Sequence, residues 1–333
     1  MTVKRRRIVV KVGTSTLTNE LGNSNLKNME KLTRVLADIH NLGNEIVLVS
    51  SGAIAVGANK MRLKEKPRAL PMKQAAAAVG QCENMFLYDK FFGYYDKTVA
   101  QILLNAEDIR QEEKKENLTN TFETLLEQGI IPIVNENDSV SYSEIESDEK
   151  LFSDNDVLSA VVAVLCRADL LVILSDIDGF YDRDPRLYKD ARLIDRIEAI
   201  DESTYNLAGG AGSRRGTGGM RTKLQAAELA ISQGTGTLVT NGNRPEVLYD
   251  VVEGRRVGTL FTARRPGDVW EPASGDVRES VRESASERVR EEKARYAVDR
   301  PKLEREESSR FASKKAKEHY TDKEGYASKK GKR

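Results

Sequence analysis

The tightest constraint in this chain is a repeated pairing in which a short, nearly continuous apolar run empties directly into a polar cluster. Ile8–Val12 closes on Lys11-Val12-Gly13-Thr14-Ser15-Thr16, and Glu45–Val49 runs into Ser50-Ser51-Gly52-Ala53. Ile130–Val134 leads into Asn135-Glu136-Asn137-Asp138, and Asp169–Leu174 into Ser175-Asp176-Ile177-Asp178-Gly179. Strands without polar alternation are covered on both faces, which calls for a mostly parallel sheet with helices on either side. The helices are legible between them. Leu26–Leu42 carries Leu26, Met29, Leu32, Val35, Leu36 and Ile39 at helical spacing and stops at Gly43; Met72–Phe92, Thr119–Gln128 and Asp154–Arg167 follow. Val99–Leu104, Thr237–Val239 and Val257–Phe261 complete the strands. The fold expected is α/β, a three-layer αβα sandwich around a mostly parallel central sheet. Ligands of such sheets sit beyond the carboxyl ends of the strands, where all four polar clusters fall. Turn chemistry alone would not require Lys11, Asp138 and Asp176 to face one crevice.

A second feature points to phosphate. Gly209–Gly234 begins as a glycine-rich, basic run and turns helical from Met220, with Leu224, Ala227, Leu229 and Ile231 as apolar positions. Glycines lose much backbone freedom on ordering, so a cluster needs a reason. A glycine loop opening a helix offers unpaired N–H donors and the positive end of the helix dipole, which suit an anion. Arg214, Arg215, Arg221 and Lys223 add charge of the right sign. A surface loop before an ordinary helix is the bland alternative. No GxxxxGK[ST] and no amino-terminal GxGxxG is present, so a nucleotide would be held by another architecture.

Composition narrows the chemistry. A net charge of +1 makes the whole chain no electrostatic magnet for nucleic acid or membrane, and neither is expected as a partner. The longest apolar run, Val157–Cys166, is too short to span a bilayer, and the basic start is no signal peptide. Cys82 and Cys166, the only cysteines, both sit in apolar helical patterns and read as buried free thiols in a reducing, cytoplasmic setting. His40 and His319 have no evident nucleophile or ligand partner. Chemistry therefore falls to lysine, arginine, carboxylates and backbone. From about Pro266 roughly half the residues are charged and few are aliphatic, a mix that cannot bury enough surface to fold alone. Residues 265–333 are expected to be a disordered or marginally helical tail. A tail that binds RNA or an acidic partner is the competing view, testable by truncation after Arg264.

Taken in order, Lys11-Val12-Gly13-Thr14-Ser15, Ser50-Ser51-Gly52-Ala53-Ile54, Ile133-Val134-Asn135-Glu136-Asn137-Asp138, Asp154-Asn155-Asp156, Ser175-Asp176-Ile177-Asp178-Gly179 and Gly216-Thr217-Gly218-Gly219-Met220-Arg221-Thr222-Lys223-Leu224 resemble motifs of the amino acid kinase family. The match is to its branch acting on free glutamate, and it covers about residues 5–264. The resemblance implies one kinase domain over 1–264. Its first part, to about residue 167, binds glutamate; its second, from about 168, binds nucleotide. It further implies ATP-dependent phosphorylation of the L-glutamate side-chain carboxylate to L-glutamyl 5-phosphate, the entry to proline biosynthesis.

By the same resemblance Lys11 and Lys223 flank the transferring phosphoryl group and Asp156 holds their ammonium groups. Ser51, Gly52, Asp138 and Asn155 read the substrate, with Asp138 suited to an α-ammonium and Asn155 to carboxylate oxygens. Ser175 and Asp176 contact adenine and ribose. Lys11 and the run Thr217, Gly218, Gly219, Met220, Arg221, Thr222 and Lys223 contact the phosphates. Mg²⁺ would ride on ATP phosphates and water, with no protein metal site. The implied partners are L-glutamate, ATP, further copies of the chain in a dimer or tetramer, and a glutamyl 5-phosphate reductase receiving the product. Many members carry a C-terminal RNA-modification-type (PUA) domain, which this sequence looks to lack. Ser153 and the acidic stretch Tyr142–Phe152 depart from the family pattern beside the glutamate site, near where proline feedback acts. Sister kinases acting on acetylglutamate, aspartate, carbamate or UMP share the fold.

Overall fold

The computed structural model describes residues 6–19, 23–140, 154–208 and 217–262, all within the unit Met1–Ala273. The readings made for the glycine-rich run 209–216, the acidic stretch 141–153 and the tail 265–333 lie outside the described residues.

Among the described residues eight strands form one sheet. They are β1 (Arg7–Val12), β2 (Glu45–Val49), β3 (Val99–Leu104), β4 (Ile131–Glu136), β5 (Leu170–Ser175), β6 (Arg196–Ile197), β7 (Gly236–Asn241) and β8 (Thr259–Phe261). Their order is β3-β4-β2-β1-β5-β7-β8-β6, parallel throughout except the antiparallel β7–β8 pair. The helices are α1 (Thr14–Leu17), α2 (Leu26–Asn41), α3 (Ala53–Lys60), α4 (Leu70–Gly93), α5 (Ala106–Arg110), α6 (Glu112–Glu127), α7 (Asn155–Leu165), α8 (Glu202–Ala208), α9 (Thr217–Ser232) and α10 (Val247–Val252). The α/β sandwich expected from the strand pattern is the architecture found.

Strand periodicity decides which residues meet which helices. Ile8, Val10 and Val12 share an apolar cluster with α2, α4 and α10, while Val9 joins the opposite cluster with α6, α7 and α9. Side chains alternate across a strand, so Arg7 and Lys11 share the face of Val9, toward α7 and α9. The chain turns away from β1 to β2 on one side and returns to β5 on the other. Their carboxyl ends therefore mark the switch point of the sheet.

Two joints fix the geometry beside that point. Gly52 opens α3 with φ +86°, a left-handed conformation that suits glycine. Farther along, α3 and α4 touch backbone to backbone. A Cβ on Gly57 would run into the carbonyl of Ala76, and one on Gly80 into that of Ala53.

Several elements differ from the sequence reading. Helix α6 starts at Glu112 rather than Thr119, because Glu112-Glu113-Lys114-Lys115 is good helix former but has no apolar stripe to announce it. Helices α1, α3, α5, α8 and α10 and strand β6 are pieces of two to eight residues, too short to show a repeating apolar pattern. Cys166 is buried as expected, but Cys82 is exposed on α4. Along that helix polar and apolar residues are not separated onto two faces, so periodicity could not say which face was outward.

Candidate active site

A buried carboxylate lies at the carboxyl end of β1, between two ammonium groups. Lys11 Nζ is 2.6 Å from Asp156 Oδ1 and Lys223 Nζ is 3.1 Å from Asp156 Oδ2. Asp156 has no exposed surface, and the two lysines are 7% and 12% exposed. Burial alone would raise the Asp156 carboxyl, but the charges of Lys11 and Lys223 and their hydrogen bonds outweigh it and hold it below the usual carboxylate range. Each member arrives from a different element: Lys11 from the last residues of β1, Asp156 from the first turn of α7, Lys223 from α9. Because α9 begins at Thr217, Lys223 lies on its second turn, not its first. Its side chain folds back along the helix to donate to the Gly219 carbonyl at 3.0 Å. The ammonium group thus sits over the helix start.

The carboxylate is braced from its own helix as well. Asp154 caps α7, its Oδ1 accepting from the Asp156 N–H at 3.3 Å. The Thr222 hydroxyl lies 3.1 Å from Asp156 Oδ2 and 3.2 Å from Asp154 Oδ2. Such an arrangement carries cationic groups on a fixed support. It suits an anion whose charge grows or moves during reaction.

On the β2–β4 side the site is lined by amides and hydroxyls. Asn155 Nδ2 lies 2.7 Å from Ser51 Oγ, 3.2 Å from the Ser50 carbonyl and 3.2 Å from Asn135 Oδ1. Asn135 Nδ2 in turn donates to Gln81 Oε1 at 3.0 Å. Ser50 Oγ bonds the fully buried Tyr88 hydroxyl at 2.9 Å. Beyond this floor lies a cavity of about 450 Å³, lined by Ala77, Gln81, Gln101, Leu103 and Asp138 among others. Burial and the nearby charge of Glu136 push the Asp138 carboxyl up to about 6. No ion pair of Asp138 is found among the described residues. Asn155 was expected to offer its amide to a carboxylate; that nitrogen is instead engaged within the protein, leaving Asn155 Oδ1 as the group to offer.

The remaining candidates are spread along the nucleotide side. Ser175 is buried at the end of β5 and donates to Asp176, whose exposed carboxylate pairs with Arg186 at 3.0 Å. Met220 packs against the apolar cluster of α7 and α9. Arg221 points away from Asp156 and stacks on the Tyr205 ring at 5.6 Å. Residues 221 and 223 are about 200° apart around a helix, so their side chains leave it in different directions. Gly52 packs against Thr14, at the β1 end. Thr217 and Gly218 open α9, and nothing is described of their side chains. Sequence reasoning did not single out Gln81, Tyr88 or the bracing role of Thr222. Gln81 and Tyr88 fall seven residues apart on one face of an alanine-rich helix, and that spacing was the available signal.

Comparison with known proteins shows the family. The model of the amino acid kinase family matches residues 6–241. A glutamate 5-kinase of Clostridium perfringens (strain 13 / Type A) is 55% identical over 260 residues, covering 78% of this chain and 96% of that protein. One from Caldanaerobacter subterraneus subsp. tengcongensis is 49% identical over 255 residues, covering 77% of this chain and 67% of the longer relative. Among solved structures, UMP kinase from Ureaplasma parvum superposes with a TM-score of 0.54 at 15% identity, over 78% of this chain and 100% of that one. An isopentenyl phosphate kinase from T. acidophilum gives 0.51 at 17%, over 77% and 99%. At these identities the two structures speak for the fold alone.

Proposed function

The chain belongs to the amino acid kinase family, among its glutamate 5-kinases, and from that premise we propose how its residues carry the reaction. The reaction is ATP-dependent phosphorylation of the L-glutamate side-chain carboxylate to L-glutamyl 5-phosphate, the first step of proline biosynthesis. The observation that supports the division of labour best is the single buried carboxylate of Asp156 shared by Lys11 and Lys223.

The acceptor carboxylate is ionised at neutral pH, so the site needs no general base. One of its oxygens attacks the γ-phosphorus while the bond to the β–γ bridging oxygen breaks, giving an acyl phosphate and ADP. Most of the help such a transfer needs is positioning and positive charge on the phosphoryl oxygens. Lys11 and Lys223 supply that charge from two sides, and Asp156 keeps them from repelling one another apart. Asp138 takes the α-ammonium of glutamate. Ser51, Gly52 and Asn155 hold the rest of the acceptor. Ser175 and Asp176 face the nucleoside, and the first turns of α9 face the phosphates.

Among the described residues no group of three or more His, Cys, Asp or Glu side chains is arranged to hold a metal. Mg²⁺ would be held by the phosphates of ATP and by water, where it would supply charge neutralisation. A homo-oligomer, hand-over of product to a glutamyl 5-phosphate reductase and a cytoplasmic location are carried on the family resemblance. Among the described residues no helix is long and apolar enough to cross a membrane.

The test is a coupled assay of ATP consumption with each acceptor in turn. Turnover is expected with L-glutamate. Turnover with acetylglutamate and none with glutamate would replace this assignment by a sister activity.

A further inference from the structure

The amide chain behind the acceptor site has a fixed direction. Asn155 Nδ2 faces the Ser50 carbonyl, a group that can only accept. The amide nitrogen of Asn155 is therefore pinned inward, and Asn135 must turn its oxygen toward it. That commits Asn135 Nδ2 to Gln81, so Gln81 must present Oε1. Reversing any one member would place two donors or two acceptors face to face. Gln81 sits on α4, which is seated against α3 through the backbone contact of Gly57 and Gly80. The last member of the chain is thus held by a rigid helix pair rather than by a loop.

We propose that Gln81 is a positioning residue for the acceptor site. Through Asn135 it holds the carboxamide of Asn155 with its nitrogen toward Ser50 and Ser51 and its oxygen free for the substrate. Gln81 also lines the cavity beside Asp138; the role proposed is carried by its Oε1, which is committed to Asn135. The inference deepens the glutamate reading and rests on it for its kinetic test.

The variant is Gln81→Met, which keeps the length and removes the acceptor. The KM for glutamate is expected to rise about tenfold, the scale of losing one buried hydrogen bond, while the KM for ATP stays within about twofold. Combined with Asn135→Ala, the loss should match that of Asn135→Ala alone within about twofold, because the two residues act in series. Multiplying losses would mean that Gln81 acts on its own and would overturn the proposal. An unchanged glutamate KM in Gln81→Met would overturn it equally.

A second readout needs no substrate. The side-chain amide resonances of Asn155, assigned by their disappearance in Asn155→Asp, should shift in Gln81→Met. They should stay in place in Gln81→Glu, which keeps an acceptor toward Asn135. Unmoved resonances in Gln81→Met would refute the relay. Absence of glutamate turnover in the unaltered protein, with the amide signals behaving as expected, would instead refute only the choice of substrate. If Gln81→Met does not fold, Asn155 resonances in Gln81→Glu that differ from those of the unaltered protein would count against the proposal.

Discussion

The two ends of β1 carry opposite solutions to the same problem. Arg7 and Lys11 are four residues apart on one strand and share a face, and both are partly or wholly buried cations. At the amino end Arg7 is surrounded. Its Nε meets Glu45 at 2.6 Å, its two Nη atoms meet Glu123 at 2.6 and 2.8 Å, and it also donates to the Cys166 carbonyl. Its backbone N–H goes to Asp169 at 2.8 Å. One guanidinium thus closes on two carboxylates and a carbonyl, and the hydrogen bonding it donates to Glu123 leads the forces that raise its pKa. At the carboxyl end the ratio is reversed. Two ammonium groups share the carboxylate of Asp156. Two strands away along the sheet, Asp138 sits half-buried with no ion pair among the described residues. Positive charge is in surplus where a phosphoryl group is expected, and negative charge where an ammonium is expected. A closed set of charges serves stability; an open one is incomplete until a ligand joins it.

The largest effect should come from opening the carboxyl end further. Lys223→Ala is expected to lower kcat by about 10³ or more, the scale of removing a preorganised group from a developing charge. ATP binding should survive, because the other phosphate and nucleoside contacts remain. Steady-state kinetics on both substrates checks this, and near-normal turnover would remove Lys223 from the catalytic set.

Breaking the amino end should do the reverse. Arg7→Met removes the guanidinium that bridges Glu45 and Glu123. A loss of about 2–3 kcal/mol is expected, below the about 3–5 of a fully buried broken pair because Glu123 is partly exposed. The kcat of the folded fraction should be unchanged. The hydrogen bond and charge of Arg7 hold the Glu123 carboxyl below its usual range. A lowered acid contributes stability above its unfolded pKa and loses it as pH falls through the folded one. The gap between Arg7→Met and the unaltered protein should therefore close below about pH 4.5, as denaturant melts across pH would show. A gap that persists in acid would mean that Arg7 matters by packing.

These two ends also mark what could be read without coordinates. The strands were legible because β1, β2, β4 and β5 are buried on both faces and so are apolar without interruption. At the carboxyl end Lys11 and Asp138 were legible because they sit in polar runs that interrupt the apolar pattern, whereas Asp156 and its pairing with the two lysines came from the family resemblance. The Arg7 network was not legible. Its partners lie 38, 116 and 162 residues away, and nothing local to Glu45, Glu123 or Asp169 sets them apart from surface acids. Arg221 shows what helical phase adds. It stands in a basic, glycine-rich run and looked like a phosphate ligand, but helical phase turns it toward Tyr205. Asn155 was found by position, while the direction of its amide depended on Ser50, Asn135 and Gln81, which no single stretch contains.

Asp138 offers a smaller, two-sided test of the open end. Its carboxyl, raised to about 6, is a group whose stability contribution is present at low pH and lost as pH rises through that value. Asp138→Asn should therefore stabilise the protein at pH 7, by about 1–2 kcal/mol once its partial exposure is allowed for. The same change removes the partner of the substrate ammonium, so the KM for glutamate should rise about tenfold or more. In the unaltered protein, glutamate KM should climb as pH falls below about 6, and this climb should vanish in Asp138→Asn. Thermal melts and a pH series of KM test both halves. A variant that is neither stabler nor weaker for glutamate would remove Asp138 from the set of unbalanced charges.

The smallest effect tests how much of the Asp156 geometry comes from hydrogen bonding and how much from charge. Thr222 has one hydroxyl proton and three oxygens within reach: Asp156 Oδ2, Asp154 Oδ2 and the Gly219 carbonyl, which lies at 3.1 Å. Thr222→Val keeps the shape and removes the donor. Since the two lysines still hold the carboxylate, the loss should be that of one charge-assisted hydrogen bond, a fall in kcat of about three- to tenfold with little change in the KM for ATP. Thr222→Ser should restore it. If the hydroxyl instead touches the nucleotide, the ATP KM will move and kcat will not. In that outcome Asp156 is held by Lys11, Lys223 and its own helix alone, and the carboxyl end is organised by charge without help from hydroxyl groups.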